Sequence, residues 1–189
     1  MAMTPIALCS RALVKLGARS IAAFDEGTAE AEIAAILYPG IRDGLLSAHP
    51  WSFATGQATL ARLARKPVAD HACAYQLPAD FLRALSLGTG PRGRGQEYRI
   101  VEGALHCDAD QVVLSYVFRP DETGFPPFFD AALIAVLAAE FCLPVTESTT
   151  RADLLRRAAD AEIRRARLVD AQQDTPGRIE DFTLVEARR

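Results

Sequence analysis

Of the 189 residues, 50% are hydrophobic and 24% charged, a composition that folds around a core and argues against disorder over most of the length. The formal net charge of −3 leaves no basic excess for neutralising phosphates, which disfavours nucleic-acid binding through a basic face. The longest apolar stretch, 131–139 with its flanks, is bracketed by Asp130 and Glu140 and falls short of a bilayer crossing, and residues 1–5 lack the features of a secretory signal, so a protein made and used in a cytoplasm is expected.

In chain order, Thr4-Pro5 is a helix start, with Thr as N-cap and Pro in the first turn, and Ile6, Leu13 and Leu16 supply an apolar stripe that ends at Gly17. Residues 20–27 cross over, with Ile21 and Phe24 as anchors, before Thr28 caps a second helix. That helix carries Ile33, Ile36, Leu37, Ile41, Leu45 and Leu46 on a wide face, and Pro39-Gly40 is expected to kink or split it before His49-Pro50 ends it.

From Trp51 onward the pattern turns to short β-like segments at 53–63, 72–77, 82–87, 98–101, 104–107 and 112–119. Glu102-Gly103 has the form of a tight hairpin turn. Residues 88–95, with four glycines, Pro91, Arg92 and Arg94, read as a mobile loop tip, the least ordered internal segment. Pro126-Pro127 opens a third helix at 128–142 that is apolar almost all round and therefore central; Leu143-Pro144 is expected to stop it. Thr149 or Thr150 then caps a charged fourth helix reaching about Gln172, packed through Leu155, Ala158, Ala159, Ala166 and Val169 and laced by Asp153/Arg157 and Asp160/Arg164 pairs. Beyond Pro176-Gly177, the residues Ile179, Phe182, Leu184 and Val185 are too few to fold alone yet too apolar for a solvated tail, which marks a docking segment.

The expected fold is therefore α+β, mainly α: a four-helix core (1–52 and 126–173), a small antiparallel β subdomain (53–125) inserted between the second and third helices, and an extended C-terminal tail (174–189). Cysteines 9, 73, 107 and 142 form no CxxC pair and are read as reduced thiols; His49, His71 and His106 have no partner at metal-ligand spacing. Neither a metal nor a cofactor is expected. His106-Cys107 would place its side chains on opposite faces of a strand, and His71/Cys73 spacing is common by chance, so no catalytic residue is assigned. Arg156, Arg157, Arg164 and Arg165 are interleaved with acids, the pattern of a paired surface available for inter-subunit contact rather than a DNA stripe. Arg92 and Arg94 lack any phosphate-cradling motif and are assigned to a subunit-facing or DNA-facing loop.

The run Ile6-Ala7-Leu8-Cys9-Ser10-Arg11-Ala12-Leu13-Val14-Lys15-Leu16-Gly17, then Phe24-Asp25-Glu26-Gly27-Thr28, then Arg42-Asp43-Gly44-Leu45-Leu46-Ser47-Ala48-His49-Pro50-Trp51-Ser52-Phe53-Ala54, resembles the head-to-tail adaptor (tail tubular protein A-like) family of tailed bacteriophages and phage-like gene transfer agents. Tyr75-Gln76-Leu77-Pro78-Ala79-Asp80-Phe81-Leu82 is similar to that family's strand-to-turn segment, whereas residues 88–95 and the tail depart from it. The resemblance implies a non-enzymatic structural subunit of a virion or phage-like particle, assembled in the bacterial cytoplasm. It implies a ring of roughly twelve copies between the portal protein and a tail or stopper protein. DNA would pass through that ring without sequence specificity, and no membrane would be involved. The tail residues Ile179, Phe182, Leu184 and Val185 would bind the portal. Two other readings stand beside it: a DNA-binding or packaging-associated factor, which calls for a contiguous arginine face, and a small hydrolase, which calls for a pocket where His71 or His106 meets a carboxylate or thiol.

Overall fold

The computed structural model describes residues 3–90 and 92–173. Four helices and two antiparallel sheets make up an α+β chain: α1 (Pro5–Lys15), α2 (Ala29–Ser47), β1 (Thr55–Thr59), β2 (Cys73–Gln76), β3 (Phe81–Thr89), β4 (Arg92–Gln96), β5 (Arg99–Val101), β6 (Ala104–Cys107), β7 (Val113–Phe118), α3 (Pro127–Thr146) and α4 (Thr149–Ala171). Short 3-10 turns occupy Ser52–Ala54 and Glu122–Gly124.

Local chemistry explains the helix starts. The Ala7 and Ala31 amides donate to the Thr4 and Thr28 hydroxyls, and Ser148 caps α4 by accepting from the Arg151 amide, one residue earlier than the threonines expected for that role. Two expected breaks do not occur. Pro39 lies inside an unbroken α2 and Pro144 inside α3, which runs on to Thr146 before Glu147 turns left-handed at φ 55°. Both prolines are exposed, as are Ala35 and Glu140, whose carbonyls lose their helical donor, so water can satisfy what the ring removes.

The α3 helix is the centre of the molecule. Phe129, Leu133, Leu137 and Phe141, four residues apart, are all fully buried, and each contributes roughly 1.5–3 kcal/mol by leaving water. At 20 residues α3 is, contrary to the sequence expectation, long and apolar enough to cross a bilayer. Here it is covered by α1, α2 and α4. The α4 helix reaches it through Ala152, Ala159 and Ala166, all buried, with Leu155 and Ile163 half-buried; Ala158, assigned to this stripe from sequence, is exposed.

The strands form a four-stranded sheet, β1-β7-β3-β4, and a three-stranded sheet, β2-β6-β5. Burial along β7 is nearly continuous because the strand is covered on both faces. Val117 faces the helical core together with Leu82 and Leu85 of β3, while Leu114 and Tyr116 join Leu87, Tyr75, Leu105 and Cys107 between the two sheets. Helices, large sheet and small sheet are thus stacked with the large sheet in the middle. Glu102 (φ 49°) and Gly103 (φ 72°) make the β5–β6 turn, both left-handed as a two-residue hairpin of matching twist requires.

The stretch expected as a mobile loop is instead the end of β3 and the strand β4, paired through Leu87↔Gln96 and Thr89↔Arg92. Its glycines explain both the misreading and the strand. A Cβ on Gly93 would lie 3.0 Å from Gln57 Nε2 and from Ser115 Oγ, so a larger residue would push those side chains aside and glycine suits the close approach of β4. The Gly93 carbonyl accepts from Ser86 Oγ at 2.7 Å. The expected strand at 53–63 is divided into the 3-10 turn and β1, because Trp51 and Ala54 are drawn into the helical core.

Candidate functional site

The junction between helices and strands is the most tightly determined part of the chain. Trp51 is fully buried; its indole N–H donates to the Leu45 carbonyl at 3.0 Å, and its ring meets Phe129 edge-on at 5.1 Å. Phe53 packs against Phe129 (4.9 Å) and Phe125 (5.9 Å) in the same cluster. One residue on, the Ser52 amide and hydroxyl both donate to the Asp170 carboxylate, at 3.0 Å and 2.6 Å. Asp170, only 4% exposed at the end of α4, therefore caps the 3-10 turn that starts the β region. His49 stands 3.8 Å from the same carboxylate, but burial and the Arg167 charge hold its pKa below the usual value, so it is neutral at neutral pH and the contact is not an ion pair.

A second tie joins α2 to the far end of β7. Arg42 bridges Asp43 (2.9 Å) and Glu122; Glu122 also accepts from the Tyr38 hydroxyl (3.0 Å), and Arg119 grips Asp43 through two nitrogens at 2.6 Å and 3.0 Å. Burial works against both carboxylates, yet hydrogen bonds from Arg119 and Arg42 hold Asp43, and from Arg42 and Tyr38 hold Glu122, below the usual carboxylate range. Burial and the Glu122 charge push the Tyr38 phenol well up, so it stays a donor. Sequence reasoning missed Tyr38, Glu122 and Arg119 here, because partners about 80 residues apart leave no local spacing signal.

A third link fixes the Pro78-Ala79-Asp80 turn. The Asp80 carboxylate accepts from the Tyr116 hydroxyl (3.2 Å) and its carbonyl from the Arg119 amide (2.9 Å), pinning the start of β3 to β7.

The arginines proposed from sequence separate into distinct settings. Arg156, Arg157, Arg164 and Arg165 are all exposed on α4, and Asp153 pairs with Arg156 (3.3 Å) rather than with the expected Arg157. Among the described residues no Asp160–Arg164 ion pair is formed. Arg94 is an exposed strand residue, and Arg92, the first residue of β4, pairs by its backbone with Thr89 across the hairpin turn. Ile179, Phe182, Leu184 and Val185 lie outside the described residues.

Beside the small sheet, a cleft of about 500 Å³ is lined by Arg65, Lys66, His71, Arg99 and His106 with Asp70 and Glu102. Ion pairs join Arg65 with Glu102 (3.2 Å) and Arg99 with Asp70 (3.4 Å), and His71 Nδ1 lies 3.4 Å from the Asp108 carboxylate. A histidine does meet a carboxylate here, as the hydrolase reading asks, but Asp108 is largely exposed and is already held by the Ala72 amide at 2.8 Å. Among the described residues no hydroxyl or thiol side chain lines the cleft. Cys73 and Cys107 sit directly opposite one another on β2 and β6, both buried and unbridged, and turned into the core between the sheets. Burial pushes the Cys107 thiol up, and the Cys9 thiol to about 12, which suits packing rather than nucleophilic attack. Among the described residues no three His, Cys, Asp or Glu side chains are placed to hold a metal ion.

A different groove opens between α1 and α3, about 700 Å³ in volume, lined by Met3, Arg11, Val14, Pro127, Asp130 and Ile134, among others. Asp130 is 9% exposed, and its Oδ1 is buried with no hydrogen-bond partner. Burial raises its pKa to about 6 against the pull of Arg11.

A scan against known protein-family models finds no match to the chain, and a search of curated proteins finds none either.

Proposed function

We propose that the chain is a structural subunit of a head-to-tail adaptor ring, sitting between the portal and the tail or stopper protein of a phage or phage-like particle. In this reading 1–52 and 126–173 act as a helical core, 53–125 as a β subdomain presenting a rim to the next ring, and 174–189 as the docking tail. About twelve copies surround a channel through which DNA passes without sequence-specific contact.

The observation that carries the reading is the role of the residues behind the resemblance. Arg42-Asp43, Pro50-Trp51-Ser52 and Pro78-Ala79-Asp80 are the residues that lock α2, α4 and the large sheet into one joint. A connector between two rings must pass load from one element to another without bending, and a joint fixed by a buried tryptophan and a doubly bonded carboxylate suits that task. The modest net acidity suits a lining along which DNA slides, since it offers no phosphate-binding excess.

Light scattering of the purified chain, alone and mixed with a candidate portal ring, tests the reading. A ring-sized mass increment on the portal is expected. Removal of Ile179, Phe182, Leu184 and Val185 by truncation at 179 is expected to leave a folded subunit that no longer attaches, because weak tail contacts repeated around a ring supply the avidity. Full attachment after truncation overturns the tail assignment, and no increment with any portal or tail partner overturns the adaptor reading.

A further inference from the structure

The α1/α3 groove presents an apolar floor with a positive rim. Val14, Pro127 and Ala131 are exposed along it, and Arg11 and Lys15, also exposed, stand one turn apart on its α1 wall. Among the described residues neither cation forms an ion pair; Arg11 acts on Asp130 only through space. Asp130 itself is 9% exposed and keeps its Oδ1 buried, so the charges the groove offers to a visitor are the two cations. Such a surface suits an occupant that is apolar and acidic.

The chain carries a segment of that kind. Ile179-Glu180-Asp181-Phe182-Thr183-Leu184-Val185-Glu186, outside the described residues, combines four large apolar side chains with three acids and no base. It follows on from a point beside the groove. Asp170, at the end of α4, bonds Ser52, and the neighbouring Trp51 ring packs on Phe128 (6.4 Å) and Phe129 (5.1 Å), which share the first turn of α3 with Pro127 and Asp130. Ala131 of the groove is one turn from Ala135, which packs against Ala159, so the groove borders the seat of α4 on α3. Residues 173–178 span up to roughly 20 Å when extended, twice the ~10 Å between packed helix axes. Within them Thr175-Pro176-Gly177-Arg178 is the sequence of a type II turn, which sends the chain back along the helix it has left. So short a tether gives an effective concentration on the order of millimolar, and a weak contact is then enough to hold the segment.

We propose that residues 179–186 seat in the α1/α3 groove of their own chain, with their apolar side chains on Val14, Pro127 and Ala131 and their acids at Arg11 and Lys15. The inference goes beyond the adaptor reading, because it concerns the free subunit. There the groove shelters the segment that a portal would bind, and attachment requires the segment to leave its seat.

Amide 15N relaxation on the full chain, at 20.5 kDa within easy reach of the method, tests the seat residue by residue. Order parameters for 179–186 are expected near about 0.85, the value of rigid backbone, where an unheld tail falls below about 0.6. Val14→Glu, at an exposed position of α1, is expected to drop them below about 0.6 and to leave the spectrum of the core unchanged. Arg11→Glu/Lys15→Glu is expected to do the same. Adding Glu180→Lys/Asp181→Lys to that background is expected to restore the rigid values, a recovery that damage to α1 alone would not permit. The tail-side pair by itself lies outside the helical core and is expected to free the segment as well, so the test survives if an α1 variant folds poorly.

Order parameters below about 0.6 for 179–186 in the wild type overturn the proposal. Rigid values that neither Val14→Glu nor the charge reversals move overturn it too, since the segment is then held elsewhere. Rigidity lost on dilution, with a matching fall in sedimentation coefficient, places the segment on a second copy and sinks the intramolecular seat. The portal assay reads the adaptor role separately. Portal attachment by a chain whose tail is unheld in solution would sink the seat alone, and a seated tail on a chain that attaches to no portal would sink the adaptor role alone.

Discussion

Replacing Asp170 by alanine removes the acceptor for both Ser52 donors and so opens the joint between α4 and the start of the β region. Hydrogen bonds to a charged group contribute about 1.5–3 kcal/mol each. Ser52 is exposed, so its freed amide and hydroxyl turn to water and the low end applies, roughly 3 kcal/mol for the two together. Against this, a carboxylate in the last turn of α4 opposes the helix dipole at a cost of about 0.5–1 kcal/mol, which the substitution relieves. The hydrogen bonds win, and the expected net loss is about 2 kcal/mol, or a fall in Tm of roughly 4–8 °C for a chain of this length. Urea denaturation followed by far-UV circular dichroism and by tryptophan emission measures it, because Trp51 is the only tryptophan and sits next to Ser52. Asp170→Asn, which keeps one oxygen acceptor, is expected to lose about half as much. A loss below about 0.5 kcal/mol in the alanine variant would refute the joint, since that is the range of an ordinary surface substitution.

Asp130 gives a pH signature of opposite sign to that of a stabilising carboxylate. Its folded pKa of about 6 lies above the unfolded value, so the native state holds the proton more tightly, and the stability of the chain falls as pH rises between about 4 and 6, by roughly 3 kcal/mol at most. Asp130→Asn is expected to be more stable than wild type at about pH 7.5 and to lose that advantage near pH 4; a difference independent of pH counts against the buried, unpartnered carboxylate. All four cysteines are buried, so a thiol-reactive dye is expected to label the native chain no faster than global unfolding exposes Cys9, Cys73, Cys107 and Cys142, and rapid native labelling of any of them contradicts the packing.

Where the sequence was readable, a local rule sufficed. Thr4, Thr28 and the Glu102-Gly103 turn act through atoms three or fewer residues away, and the all-round apolar run at 128–142 has a central burial as its simplest solution. The errors came from features decided by distant neighbours. Pro39 and Pro144 leave their helices unbroken where the carbonyls they orphan face water, and exposure is not written in the local pattern. Glycines at 88, 90, 93 and 95 signal flexibility in isolation, but Gly93 serves the close approach of β4 to Gln57 and Ser115, residues far away in sequence. Among the candidate site residues, the exposed arginines of α4 were legible from charge interleaving. Asp130 and Asp170 were not, because nothing local to either aspartate tells whether its carboxylate finds partners once buried.

That last distinction is one of partners and not of burial. Asp170 and Asp130 have the same chemistry and nearly the same exposure, 4% and 9%. The first is surrounded by donors and ties α4 to the strands. The second has a buried Oδ1 with no hydrogen-bond partner among the described residues, beside a groove that Arg11 and Lys15 also line. A fold optimised only for its own stability would place a donor or an apolar residue at 130, since an unpaired buried carboxylate costs free energy at neutral pH.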